Sequence, residues 1–266
     1  MISNLRNSVL FFFALFLSLL INAQVFAGLL LEQESYLENN PEKKGKGQIY
    51  ISDNKIKFVA ENSDPIIIFD LNKNKFFIID QKNKQYVESS PQKYVKLVQQ
   101  NLIKQKKAIK KELANMPKEK RAQKLKLLKH KRINIYGDEK AKTWKFNKTD
   151  ETKIVAGLKT QKIELFEDDK LIQQLWVSDK LEELDLKKLA KFYGEIQKIS
   201  QGEYLSFDNQ NEFGKTLTDI YKLGYPLETV DYNLPGNRVE KIVSIKQVEI
   251  SDKDFKPPSD YQKTKF

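Results

Sequence analysis

Few residues in this chain have the types or spacing for chemistry. There is one histidine, His130, and no cysteine. Without thiols there can be no disulfide, thiolate metal site, Cys nucleophile or N-terminal lipidated Cys. A single imidazole removes His clusters and most imidazole catalysis. His130 lies among Lys129, Lys131 and Arg132, where positive neighbours disfavour its protonation, and it reads as a surface helix position. Gly214-Lys215-Thr216 imitates the end of a phosphate-binding loop, but the earlier glycine of that loop falls at Asn209. Gly45-Lys46-Gly47 reads as a turn, and Asp208–Glu212 lacks the ligand order of a calcium loop. Glu167-Asp168-Asp169 reads as solvated carboxylates at a hairpin turn. A hydrolase would need two acids brought together by the fold, and no spacing proposes such a pair. The sequence predicts no enzyme, no cofactor and no metal.

Two features suited to binding remain. The first is charge. The chain has 47 Lys+Arg against 36 Asp+Glu, yet Pro91–Asn134 alone holds 15 basic residues and only two acids, Glu112 and Glu119. Outside this segment and residues 1–27 the chain is close to neutral, so a basic insert, residues 91–134, sits in a near-neutral body. Val95, Val98, Leu102, Ile109, Leu113 and Met116 follow helical spacing. Pro117 places a break near Asn115–Pro117, and Ala122, Leu125 and Leu128 mark a second stretch. One kinked helix and a hairpin both fit. The candidate anionic-surface patch is Lys104, Lys106, Lys107, Lys110, Lys111, Lys118, Lys120, Arg121, Lys124, Lys126, Lys129, Lys131 and Arg132. It reads either as a solvated helix surface or as a dock for an anionic membrane surface or an acidic protein. Nucleic acid is not expected, because Tyr94 is the segment's only aromatic before Asn134.

The second feature is a set of apolar strands. Gln48–Ile51 and Lys55–Val59 flank the turn Ser52-Asp53-Asn54; Ile66–Leu71, Phe76–Asp80 and Gln85–Glu88 follow, separated by Lys- and Asn-rich turns. Loops this short require an antiparallel meander. Beyond the basic segment come Thr143–Asn147, Lys153–Ala156, Leu158–Phe166 and Lys170–Val177. Asp185 suits the cap of a helix presenting Leu189, Phe192, Tyr193, Ile196 and Ile199. A short helix over Glu212–Leu223 precedes strands at Leu227–Tyr232 and Val239–Ile250, and Lys256-Pro257-Pro258-Ser259 is expected to end regular structure. Several strands are apolar on both faces, so the sheet is covered on each side or curved. The candidate lining of an apolar ligand cavity is Ile49, Ile51, Phe58, Ile68, Phe76, Ile78, Trp144, Phe146 and Trp176; the alternative is that these residues fill a dry core.

The N-terminus carries an address. Arg6 precedes an apolar run from Val9 to Ile21, and Val25-Phe26-Ala27 offers a peptidase exit before Gly28. Residues 1–27 are therefore expected to be a cleavable signal peptide, with an uncleaved inner-membrane anchor as the alternative. Export without cysteines fits a bacterial periplasm. Residues 28–266 are read as a single domain.

The segment Ile66–Tyr86, IIIFDLNKNKFFIIDQKNKQY, resembles the strand, Asp, Lys-rich turn, aromatic strand, Asp, Lys-rich turn, Tyr pattern of an uncharacterised bacterial envelope family. That family is similar in build to the periplasmic lipoprotein carriers of the Lol pathway. Lys153-Ile154-Val155-Ala156-Gly157, Leu175-Trp176-Val177-Ser178-Asp179, Gly224-Tyr225-Pro226 and Phe255-Lys256-Pro257-Pro258-Ser259-Asp260-Tyr261 follow in the same order. Relatives often carry Tyr and Cys where this chain has Leu158 and Thr160, and the basic segment has no counterpart in the pattern. The resemblance implies an α+β fold: a curved antiparallel sheet forming an incomplete β-barrel, covered by helices. It also implies a hollow able to accept a lipid or lipoprotein acyl chain, an inference from fold alone.

Overall fold

The polar turns of the first ninety residues fix the first half of the molecule. The structure, a computed structural model, describes residues 25–61, 65–130, 142–200, 210–233 and 236–265. β1 (Val25–Leu37), β2 (Asn40–Ser52), β3 (Lys55–Ala60), β4 (Ile66–Asp70), β5 (Lys75–Asp80) and β6 (Gln85–Ser89) form a meander in which each strand after the first pairs antiparallel with the one before it. Asp53 and Asn54 both take positive φ, as a tight two-residue hairpin requires.

The chain then leaves the sheet in two helices. α1 (Pro91–Ala114) starts where the Ser90 hydroxyl accepts a hydrogen bond from the Lys93 amide at 3.3 Å, with Pro91 in the first turn. It stops before Pro117, and α2 (Lys118–His130) follows. A second meander comprises β7 (Trp144–Val155), β8 (Leu158–Glu167) and β9 (Lys170–Ser178). Next come α3 (Leu186–Ser200) and α4 (Gln210–Leu223), then β10 (Tyr225–Asp231) and β11 (Arg238–Ser251). The Asp185 carboxylate accepts from the amides of Lys187 and Lys188, capping α3.

With β12 (Gln262–Thr264) in the C-terminal tail, the twelve strands of the described residues form one sheet in the order β12-β6-β5-β4-β3-β2-β1-β11-β10-β9-β8-β7. β1 pairs with β11 along its whole length, from Val25 opposite Ser251 to Leu37 opposite Arg238, and so joins the two meanders. The sheet is curved and open, with β7 and β12 at its ends. The fold is α+β, with four helices among the described residues.

Gly45-Lys46-Gly47 is no turn: it lies inside β2, where Gly45 faces Ser35 and Gly47 faces Gln33 across the ladder. A long partner strand outweighs the weak β propensity of these residues. Thr143–Asn147 and Lys153–Ala156 are not separate strands, because β7 runs through both with an irregularity between Lys148 and Thr152. The C-terminal tail keeps regular structure beyond Ile250. A short 3₁₀ turn (Asp252–Phe255) leads to β12 (Gln262–Thr264), which pairs with β6 and is parallel to it. The sheet is therefore antiparallel in every pairing but that one. Residues 1–24 lie outside the described residues; a cut before Gly28 would trim Val25–Ala27 from β1.

Candidate functional site

In the first meander, alternation sends one set of apolar residues to a single face. The register places Ile49 opposite Phe58, Ile51 opposite Ile56, Ile67 opposite Ile78 and Phe69 opposite Phe76. α3 lies on this face. The Phe192 ring is 4.8 Å from that of Phe69, and Tyr193 meets Phe69 edge-on at 5.7 Å. Tyr94 of α1 meets Phe76 at 5.3 Å. Leu189 is fully buried, Phe192 is 2% exposed, and Ile196 packs beside them.

α3 and α4 are joined by their smallest residues. The Thr218 hydroxyl of α4 donates to the Gly214 carbonyl of its own helix at 2.6 Å and lies 3.4 Å from the Ala190 carbonyl of α3, and a Cβ added to Gly194 of α3 would collide with that hydroxyl. Tyr193 of α3 stacks on Tyr221 of α4 at 4.7 Å with 10° between planes. Burial pushes the hydroxyls of Tyr193 and Tyr225 well up and that of Tyr221 to about 12, so the three phenols stay neutral at physiological pH.

The nine residues expected to line one hollow are divided among different environments. Ile49, Ile51, Phe58, Phe76 and Ile78 share the face under α3. Ile68 does not. It sits on the opposite face with Ile79, Ile250 and Phe255, because neighbouring strand residues point to opposite sides. Trp144 and Phe146 belong to a second cluster, under α4, where Trp144 lies 4.3 Å from Phe213. Trp176 packs against the cluster under α3 and is capped by Lys153, whose ammonium lies 4.1 Å from the ring centroid and also pairs with the nearly buried Glu228. The face under α3 is filled by side chains at Ile49, Ile51 and Phe76, each at most 3% exposed.

Two cavities lie instead on the face away from α3. One, of about 440 Å³, is bordered by Glu32, Glu34, Lys46, Gln48, Val59 and Val243. The other, of about 360 Å³, lies beneath the C-terminal tail, between Phe77, Tyr86, Phe255 and Tyr261 with Lys55 and Asp70. Burial alone would lower the Lys55 pKa, but its hydrogen bonds to Asp252 and Asp53 outweigh that and raise it. The hydrogen bond from Lys55 holds the Asp252 carboxyl below the usual carboxylate range.

The basic segment is two arms packed together. Leu113 and Leu128 are buried with Ile109, Met116 and Leu125 between α1 and α2. Arg121 donates to the carbonyls of Ala114 at 3.1 Å and Met116 at 3.2 Å, closing the end of α1. Lys124 pairs with Glu112. Arg121 and Lys124 thus belong to the bend rather than to an open patch. Lys104, Lys107, Lys111, Lys118, Lys120 and Lys126 are exposed. Lys106 is half-buried, and Lys110 is exposed but carries a partner. Lys131 and Arg132 lie outside the described residues, as does the side chain of Lys129.

The Glu167-Asp168-Asp169 turn is tied into the sheet edge: Asp168 accepts from the Thr143 amide at 2.8 Å, and Asp169 pairs with Lys145 at 2.5 Å. The side chains of Asp208–Glu212 and His130 lie outside the described residues. Among the described residues, no group of three His, Cys, Asp or Glu is placed to hold a metal. Nor is any helix there long and apolar enough to cross a membrane.

A family model described as a domain of unknown function (DUF4412) matches residues 65–261. The chain belongs to that family. The match begins at β4 and ends in the C-terminal tail, so β1–β3, at the centre of the sheet, lie outside it. No curated protein matches. Among solved structures, PNGF-II in a C2 crystal form is 13% identical over 90% of this chain, with a TM-score of 0.41; the chain spans 31% of PNGF-II. An uncharacterised conserved protein from Thermus thermophilus is 7% identical over 89% of each chain, with a TM-score of 0.41. Likenesses this shallow carry no argument about activity. None of these comparisons points to the lipoprotein carriers of the Lol pathway.

Proposed function

We propose that this DUF4412 protein is a non-enzymatic binding protein of the bacterial periplasm, exported by the signal in residues 1–27. Its cargo is the acyl chain of a lipid or lipoprotein, held between the α3–α4 pair and the aromatic face of the first meander. One observation carries the reading. α3 and α4 are inserted between β9 and β10, yet those strands pair directly, with Trp176 opposite Glu228 and Leu175 opposite Thr229. The helices cover the apolar face without holding the sheet together, so they can lift without breaking a ladder. The carrier-like pattern of the strand motifs supports the same reading.

The energetics of exchange are compatible with it. Lifting α3 uncovers Leu189, Phe192, Tyr193 and Ile196, at about 2 kcal/mol each, or roughly 8 kcal/mol. An acyl chain of about 16 carbons offers about 0.8 kcal/mol per buried methylene, roughly 12 kcal/mol before ordering costs. The chain therefore competes with the aromatic filling. Native mass spectrometry of the protein purified from its own envelope tests this. The expected spectrum shows adducts of acyl-lipid mass that are lost when Phe69→Asp polarises the face; a bare polypeptide mass from gently handled envelope contradicts the proposal.

A further inference from the structure

The α1–α2 hairpin has a face that the cargo site does not use. α1 is anchored at its start by Tyr94 and the buried Val95. Its 24 residues then extend about 36 Å at 1.5 Å per residue. Ile109 and Leu113 are turned toward α2. On the opposite side Lys104, Lys107 and Lys111 fall at i, i+3 and i+7, and all three are exposed. Ile103, one residue before Lys104 on α1, is 54% exposed, and Leu127 on α2 is 52% exposed. The segment's two acids do not face this stripe alone: Glu112 is already paired with Lys124, and Glu119 lies on α2.

From this arrangement we infer that the hairpin docks on the headgroup surface of an anionic phospholipid bilayer, with the Lys104–Lys107–Lys111 stripe as its contact. The residue types select this partner over an acidic protein. Of the 15 basic residues in Pro91–Asn134, all but Arg121 and Arg132 are lysine. Lysines are flexible point charges suited to a diffuse negative surface, whereas arginine provides the planar fork that holds a single carboxylate or phosphate in fixed geometry. Of these two arginines, the one within the described residues, Arg121, closes the bend of the hairpin. Exposed Ile103, beside Lys104 and one turn from Lys107, supplies apolar contact between headgroups, and the lysine stems can lie flat beside it. The inference is independent of the acyl-chain site.

The test is co-sedimentation of the exported chain with vesicles of phosphatidylglycerol and phosphatidylcholine, against phosphatidylcholine alone, at rising salt. Binding is expected only to the anionic vesicles and should weaken as salt shortens the reach of the charges. The triple variant Lys104→Glu, Lys107→Glu and Lys111→Glu should lower partitioning by about 100-fold, at roughly fivefold per lysine. Lys→Arg at the same positions should preserve it. A control with the same change in net charge, Lys43→Glu, Lys159→Glu and Lys187→Glu, should bind within about threefold of the parent. Two results overturn the inference: no binding to anionic vesicles at low salt, which would leave an acidic protein as the partner, or equal losses in the stripe and control variants.

Discussion

The aromatic face under α3 and the hairpin of α1 and α2 are both helical contacts, but their stability has opposite sources. Under α3, rings from three elements meet: Phe69 and Phe76 from the sheet, Phe192 from α3 and Tyr94 from α1. Between α1 and α2 only Leu113 and Leu128 are buried, in a segment of dense positive charge. The first contact is tied to the global fold. The second is a thin local core whose lysines repel one another, so it should open without unfolding the sheet. Apolar density thus separates the part of the molecule that sets stability from the part free to meet a surface.

Truncation should have unequal effects in the two places. Phe192→Ala should cost about 3–5 kcal/mol of global stability, measured by urea denaturation of the whole chain. Leu113→Ala should leave that transition almost unmoved while amides in α2 lose hydrogen-exchange protection. If Leu113→Ala lowers global stability as much as Phe192→Ala, the hairpin is part of the main core.

A smaller effect sharpens the picture at high pH. The Tyr221 hydroxyl is raised to about 12 by burial, while an unfolded phenol ionises near its ordinary value of 10. Because the folded pKa is the higher one, this stability is complete below pH 10 and is lost as pH rises through the folded value. About 2 kcal/mol should disappear by pH 12 from this tyrosine, with Tyr193 and Tyr225 adding in the same direction. Ultraviolet titration should show delayed phenolate formation that coincides with unfolding. Phenols that ionise freely near pH 10 with the fold intact would show that the face is open to water.

The smallest effect lies on the far side of the sheet. The Asp252 pKa is lowered, chiefly by the hydrogen bond from Lys55. Its contribution is therefore present above the unfolded value near 3.8 and lost as pH falls through the lower folded value. Asp252 is half exposed, so the pair is worth less than about 1 kcal/mol. Asp252→Asn should lower the neutral plateau of the stability curve by less than about 1 kcal/mol and flatten its acid limb, and an unchanged plateau and acid limb would mean that the tail is held by packing alone.

Much of this organisation is written in local chemistry. The Asn- and Lys-rich turns, the Asp185 cap and the break at Pro117 are visible because each rests on nearby residues. What escapes is set by distant partners. Ile66–Phe69 is apolar without alternation, so nothing in it tells which side Ile68 takes; the answer comes from the returning tail, which covers the second face with Phe255 and Tyr261. That tail looks unstructured, yet β12 gains its ladder from β6, far away in sequence. Gly45 and Gly47 resemble turn residues until β1 is seen to run alongside them. Arg121 is indistinguishable from neighbouring lysines until the carbonyls of Ala114 and Met116 come within reach.

The most direct test of the account is to pin α3 to the sheet. The chain has no native cysteine, so Phe69→Cys with Phe192→Cys places a single thiol pair where the rings now lie 4.8 Å apart. A dansylated fatty acid is then titrated into the reduced and oxidised forms. The account predicts saturable binding to the reduced form, its loss on oxidation and its return when the disulfide is reduced. Equal binding to both forms, or none to the reduced and parent proteins, would contradict it.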